Sequence, residues 1–446
     1  MSSQKYTRSV AVNMVIANMI GTGIFTSLGF QVLPSEFGGI PDGFAIIVIW
    51  VLGGIIALCG ATVYGEIATT INKSGGEYAF LTKIYHPLIG FISGWVSIFI
   101  GFAAAIAILG LAVGKYFLPL LGDFGNPSFL GIEMSKIVAL VIVTLVLLIQ
   151  WRGVKTGGLF QNIMTSLKLG MILFFLLMPF IFSGNYVPAT VHFTPDSNSW
   201  DTIFSMSFAS SLVYVLFAYS GWNASTYIVG SLENPKKNLP YSLIVGTLIV
   251  TVLYVLLNLV FMYVADFDQI QGKMEVGNIV AYKAMGSELG MVFSAIFSVA
   301  LISGINAMFI AAPRVVQEMG KDYTVFERLG VESKKGAPRM ALLVIFVITV
   351  LMIFFIGFVD LLQFTGVTLG IFSLLTVLGI FVLRFRKQVH EGTVKAWAYP
   401  VTPIIFAGFS LWMIYYFLAE KPEVLLWLIM MIIPAIAIYF FSKSKE

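Results

Sequence analysis

The sequence predicts an all-α polytopic membrane protein of twelve transmembrane helices. Two five-helix halves form an inverted repeat with discontinuous helices 1 and 6, and two additional helices follow. Three observations carry this prediction. The 446 residues are 59% hydrophobic and 11% charged, whereas a soluble domain holds roughly a quarter charged residues. Apolar stretches long enough to cross a bilayer, which takes about 20 residues as a helix, recur along the whole chain. Glycines with polar neighbours interrupt the first and the sixth of these stretches, where a helix is easiest to break.

The spans fall near 10–33, 44–69, 87–117, 131–150, 158–183, 201–231, 240–265, 288–318, 338–357, 361–385, 398–418 and 422–441. Met1 to Ser9 is short, mildly basic and without a cleavable signal pattern, and it leads straight into the first span. Trp151, Trp200 and Trp397 sit near span ends as interfacial anchors. The longest charged inner segment is Gly320–Pro338, and the longest outer excursion is Asp266–Ser287. No linker is rich enough in Pro, Gly or Ser to suggest a soluble domain. Residues 1–446 therefore read as one membrane domain, with 1–185 as the first repeat, 199–388 as the second and 398–441 as the added pair.

Orientation follows from the basic loops. With the N-terminus inside, only Lys115, Lys136, Lys273, Lys283 and Lys421 lie on the outer side, and Lys168 lies within a span. The rest of the 26 Lys and Arg residues are cytoplasmic. Both termini are then cytoplasmic, in a multi-pass plasma-membrane protein, and the net charge of +4 is loop bias with no bearing on nucleic acid. His86, His192 and His390 and the single Cys59 form no ligand-spaced set, so neither a metal nor a cofactor is expected. No acid pair, His–Cys set or Ser–His arrangement lies within the spans, which speaks against an enzyme. A channel would need a continuous polar lining that the spans lack.

The first interruption is Ile20-Gly21-Thr22-Gly23-Ile24-Phe25, and the sixth-span interruption is Phe217-Ala218-Tyr219-Ser220-Gly221-Trp222-Asn223. Discontinuous helices near the midplane are how many secondary transporters build a substrate site. A broken helix offers free N–H groups from one half and free carbonyls from the other. These suit the carboxylate and ammonium of an amino-acid zwitterion. The carboxylate is assigned to the backbone N–H groups of Thr22, Gly23 and Ile24 with help from the Thr22 hydroxyl. The ammonium is assigned to the carbonyls of Ile20, Phe217 and Ser220, in the neighbourhood of Gly21. No Asp, Glu, Lys or Arg lies in Phe204–Tyr227, so neutral amino acids fit best. Phe217, Tyr219 and Trp222 read either as an aromatic wall or lid, or as packing bulk. Asn223 reads as a cap of the second half-helix or as a partner of the first break. Glu66 and Glu77 read as bonded near the inner loops, to Lys73, Lys83 or Arg152. Asn258 and Asn306 read as bonds between helices.

Gly21-Thr22-Gly23-Ile24-Phe25 resembles the first-helix motif of the amino acid–polyamine–organocation transporters. The sixth-span stretch, followed by Glu233-Asn234-Pro235-Lys236-Lys237-Asn238-Leu239-Pro240, is similar to their L-type amino-acid transporter branch. Ser74-Gly75-Gly76-Glu77-Tyr78, His86-Pro87-Leu88-Ile89-Gly90 and Gln161-Asn162-Ile163 agree in order, so the resemblance covers most of the first ten helices. It implies the LeuT-like architecture and transport of amino acids by alternating access, with sodium-independent exchange as the mode. Lys168, the only basic residue well inside a span, then places an ammonium where sodium-driven relatives hold sodium, bracing the first helix against the eighth near Gly21 and Ser303. Two alternatives stand beside it: proton-coupled symport through Lys168, and an amino-acid sensor on the same fold. The chain departs from the family at Gly230 and Ser231, where acidic residues are common. It has no cysteine in Phe117–Glu133, where animal members bond a heavy chain, so a monomer or weak homodimer is expected.

Overall fold

The structure is a computed structural model describing residues 5–33, 39–118, 128–129, 131–388 and 393–442; His390, Lys443, Lys445 and most of the 117–133 loop lie outside them. The described chain is mostly helical, with one short antiparallel strand pair at Ser128–Phe129 and Ile132–Glu133. Its helices are α1 (Arg8–Met19), α2 (Gly23–Gln31), α3 (Gly43–Ile71), α4 (Glu77–Ile84), α5 (Pro87–Val96), α6 (Ala105–Phe117), α7 (Met134–Trp151), α8 (Val154–Ile181), α9 (Ser197–Ile203) and α10 (Met206–Tyr219). They continue with α11 (Pro235–Val264), α12 (Phe267–Ile270), α13 (Val276–Asp322), α14 (Arg339–Phe355), α15 (Phe358–Phe385), α16 (Val401–Glu420) and α17 (Glu423–Phe441).

A π-helical stretch, Ser97–Ala104, joins α5 to α6 in one span. Among the described residues, ten helices or joined helices are long and apolar enough to cross a membrane, and α9 with Met206–Ser231, bent by 65°, makes an eleventh. The expected ninth span is α14, a shorter apolar helix of 17 residues. The outer excursion expected at Asp266–Ser287 folds instead into α12 and the start of α13, which kinks at Gly286.

Helix starts are set by local chemistry. Asp42 accepts from the Ala45 N–H at 2.6 Å to cap α3, and Ser205 caps α10 through the Phe208 N–H at 3.2 Å. Pro87 and Pro235 sit in the first turns of α5 and α11, where a missing N–H costs nothing. Asp196 and Ser199 form a capping box on α9, and the Ser199 hydroxyl reaches Asp42 at 2.6 Å, joining two helix entrances.

Around the broken first span, α1 packs against α8, α11 and α13, while α2 packs against α10. Ahead of α1, the chain pairs with the far end of the sixth span. The Tyr6 N–H donates to the Ser231 carbonyl at 2.7 Å, and the Glu233 N–H donates to the Tyr6 carbonyl at 2.9 Å.

The two acids ascribed to the inner loops find other partners. Arg384 donates to both oxygens of the fully buried Glu66, at 2.9 and 2.7 Å, and stacks on Tyr399 at 3.6 Å. The Ala396 N–H completes the shell of Glu66 at 2.5 Å. Lys73 pairs with Asp322 at 2.8 Å. Glu77 has no cation among its described partners.

Removing one partner of a buried pair leaves a charge without compensation, at about 3–5 kcal/mol. Arg384→Ala is therefore expected to lower the melting temperature of the purified protein. Adding Glu66→Gln should recover part of that loss, because no unpaired charge stays buried. Equal melting temperatures for the wild type and Arg384→Ala would remove the latch between α3 and α15.

Candidate functional site

The first span stops at Met19 and restarts at Gly23. Between them the Gly21 N–H turns back to the Met19 carbonyl at 2.8 Å, and the Phe25 N–H closes onto Thr22 at 2.9 Å. This leaves the N–H groups of Thr22, Gly23 and Ile24 without an acceptor among the described residues. The sixth span stops at Tyr219. Its Ser220 N–H bonds the Phe217 carbonyl at 2.9 Å, Gly221 takes φ +92, and a 3-10 turn runs over Ala224–Ser231.

The two interruptions press against each other. A Cβ on Gly23 would lie 2.7 Å from the Ala218 Cα, and one on Gly221 would lie 2.8 Å from the Asn18 Cβ. Glycine at Gly221 is thus required twice, by contact and by a left-handed φ. The Tyr254 hydroxyl of α11 reaches both breaks, meeting the Met19 carbonyl and the Ala218 carbonyl (3.0 Å).

A cavity of about 110 Å³ opens beside this junction. Gly21, Thr22, Gly23, Phe217, Tyr219, Ser220, Trp222 and Asn223 line it, with Asn18 beside them and no charged side chain among its described walls. Ile20, Ile24, Lys168 and Ser303 do not line it. The structure thus brings eight of the twelve named residues to one cavity and puts four behind it.

Lys168 is fully buried on α8. Its ammonium donates to the carbonyl of Ile20 and, at 3.4 Å, to that of Ala17. The Ser303 hydroxyl turns to Ala300 on its own helix, at 2.8 Å, so the lysine grips the first helix without reaching that serine.

The aromatic residues divide. Phe217 is a wall facing Gly366. Tyr219 is tied away from the cavity centre by its hydroxyl, which donates to the Trp50 carbonyl at 2.9 Å. Trp222 stands edge-on between Tyr64 (4.6 Å) and Phe406 (5.9 Å), a packed side wall.

Asn223 neither caps the 3-10 turn nor meets the first break. It donates to Glu77 at 3.2 Å. The same Glu77 oxygen accepts from Tyr64 at 2.6 Å and Ser373 at 2.8 Å. Burial pushes the Glu77 carboxyl above the usual carboxylate range, with these donors pulling the other way.

Asn306 does bond between helices, to Gln161 at 2.8 Å and from Gln150 at 2.5 Å. Asn258 instead bonds Tyr254 on its own helix. Sequence reading missed Thr365, Ser373 and Ser410, which also line the cavity. The available signal was Thr365, Gly366, Gly370 and Ser373, spaced to share one helix face.

A many-helix membrane protein with two broken helices meeting at a central, uncharged cavity has the build of a carrier for small molecules. Residues 8–441 match the family model described as Amino acid permease, and the chain belongs to that family, within the amino acid–polyamine–organocation superfamily. It is 28% identical over 399 residues to the serine/threonine exchanger SteT of Bacillus subtilis (strain 168), covering 89% of this chain and 86% of that protein. It is 26% identical to the b(0,+)-type amino acid transporter 1 of Mus musculus, over 96% of this chain and 85% of that one. The large neutral amino acids transporter small subunit 2 of Oryctolagus cuniculus is also 26% identical, over 90% and 75%. The chain is a multi-pass membrane transporter of amino acids, resembling the L-type branch, and not an enzyme.

Tyr254→Phe keeps the ring and removes the hydroxyl that touches both breaks; the Met19 carbonyl keeps the Gly21 N–H, while the Ala218 carbonyl loses its donor at about 1–3 kcal/mol. Uptake into proteoliposomes is expected to fall about tenfold with a normal size-exclusion profile. Full uptake would show that the hydroxyl does not hold the junction.

Proposed function

We propose that the chain moves neutral L-amino acids across the plasma membrane by alternating access, as a sodium-independent exchanger. The carrying observation is the row of unpaired N–H groups at Thr22, Gly23 and Ile24 beside an uncharged cavity. Backbone dipoles at a helix start suit a carboxylate without a full countercharge. The ammonium takes carbonyls on the other side of the break. The Ile20 carbonyl already accepts from Lys168 and the Phe217 carbonyl from the Ser220 N–H, so Gly21 and Ser220, whose carbonyls accept no hydrogen bond among the described residues, take the larger share. The absence of charged lining among the described residues supports neutral side chains.

Lys168 supplies a fixed ammonium against the first helix, which supports transport without sodium. Proton symport has one observation in its favour: Lys168 is held by carbonyls alone, with no carboxylate among its described partners. Recurrence of a break in the first helix of each half supports the inverted repeat of 1–185 and 199–388. The loop charges support cytoplasmic termini, and the cysteine-free 117–133 loop supports a chain without a disulfide-linked heavy subunit.

Counter-flow in proteoliposomes tests the mode. Uptake driven by preloaded amino acid is expected to be equal with sodium or choline outside and without a pH gradient. A strict need for sodium would end the reading of Lys168 as a built-in cation. Accumulation that follows an imposed proton gradient would establish symport, and binding without flux would mark a sensor. For the site itself, Gly23→Ala forces a methyl into the Ala218 backbone and is expected to cut uptake at least a hundredfold with the protein still in the membrane. Normal uptake by that variant would refute the backbone site.

A further inference from the structure

The cavity extends away from the helix breaks to a wall that the zwitterion does not use. Thr365, Leu369 and Ser373 recur every four residues and share one face of α15. Phe406, Ser410 and Met413, at i, i+4 and i+7, share one face of α16. Glycines let α15 approach α10 on one side and α16 on the other. A Cβ on Gly366 would touch the Phe217 Cβ at 3.4 Å, and one on Gly370 would meet the Met413 side chain at 3.1 Å. The first of these contacts also fixes the position of the wall, because it sets Gly366, and Thr365 with it, beside the end of the first half of the sixth span.

The Thr365 hydroxyl is buried, at 1% exposure, and has no hydrogen-bond partner among the described residues. The hydroxyls of several other threonines in the spans behave differently. Those of Thr69, Thr144, Thr251 and Thr376 each bond the carbonyl four residues earlier, at 2.7–2.9 Å, the usual local solution in a helix. Thr365 forgoes that bond and lines the cavity, where Ser410 adds a second hydroxyl from α16. Ser93, Thr247 and Thr368 also lack a partner among the described residues but do not line the cavity.

We propose that Thr365 and Ser410 read the substrate's side chain, selecting neutral amino acids whose short side chain ends in a hydroxyl or carboxamide over hydrocarbon ones of similar size. The assignment rests on the zwitterion site at the helix breaks and adds a task for α16, which lies outside the proposed ten-helix repeat. A hydroxyl both donates and accepts, so it pairs with serine-, threonine-, asparagine- or glutamine-like side chains and supplies no countercharge for an ionic one. A hydrocarbon side chain would leave the buried Thr365 hydroxyl unpaired, and one such loss is about tenfold in binding.

The test is counter-flow uptake of serine, threonine, asparagine and glutamine against alanine, valine and leucine, run on the full-length protein. Wild type is expected to prefer the first group. In Thr365→Val the KM for serine and asparagine should rise about tenfold relative to that for alanine, and Ser410→Ala should move the ratio the same way. Thr365→Ser, which keeps the hydroxyl, should hold the wild-type ratio, separating a lost hydrogen bond from disturbed packing. A wild-type preference for leucine and valine, or an unchanged ratio in both Thr365→Val and Ser410→Ala, overturns the proposal. That failure is distinct from failure of the backbone site, because Gly23→Ala should depress every substrate alike and leave ratios untouched.

Discussion

A backbone amide inside a bilayer has no water to bond, and each one left unpaired costs several kcal/mol. Most of this chain meets that constraint with unbroken helices. At Ile20–Thr22 and Ser220–Asn223 it does not, and the surrounding architecture is arranged to hold those two defects together. Glycine at Gly23 and Gly221 lets the breaks touch. Tyr254 supplies one hydroxyl to a carbonyl from each. Lys168 satisfies the end of α1 from the opposite side. Of the N–H groups that stay unpaired, those of Thr22 and Gly23 belong to residues lining the cavity.

Support for the junction is layered outward. Trp50 packs against Tyr219 and Tyr254, with ring centres 6.0 and 5.5 Å apart, and accepts the Tyr219 hydroxyl on its carbonyl. Behind the sixth-span break, Glu77 gathers Tyr64, Asn223 and Ser373 onto one oxygen. Gln150, Asn306 and Gln161 bond α7, α13 and α8 to one another. Such networks rigidify when satisfied and are costly when cut, as buried polar groups are elsewhere.

Much of this was legible in the sequence for a local reason. Glycine lowers helix stability wherever it sits, so Gly21-Thr22-Gly23 and Ser220-Gly221 mark weak points without reference to any partner. Hydropathy and loop charge likewise act residue by residue, and they located the spans. Partner choice was not legible. Glu66 meets Arg384 across 318 residues of chain, and nothing near either residue announces the other. The same holds for Asn223, whose sequence neighbours suggest a cap while its side chain bonds Glu77 on a different helix. Thr365 was missed because a lone threonine in an apolar helix normally bonds its own backbone. Only the three-dimensional surroundings reveal that it does not.

The pairing of Tyr6 with Ser231 and Glu233 bears on how the molecule would move. It stitches the start of α1 to the last residues of the sixth span by two backbone hydrogen bonds. The two broken segments are therefore fastened at two heights, at the central junction and again at the face where the basic loops gather. Drawing either end away from the other on that face costs those two backbone hydrogen bonds, so the few residues ahead of α1 act as a hasp across the two segments.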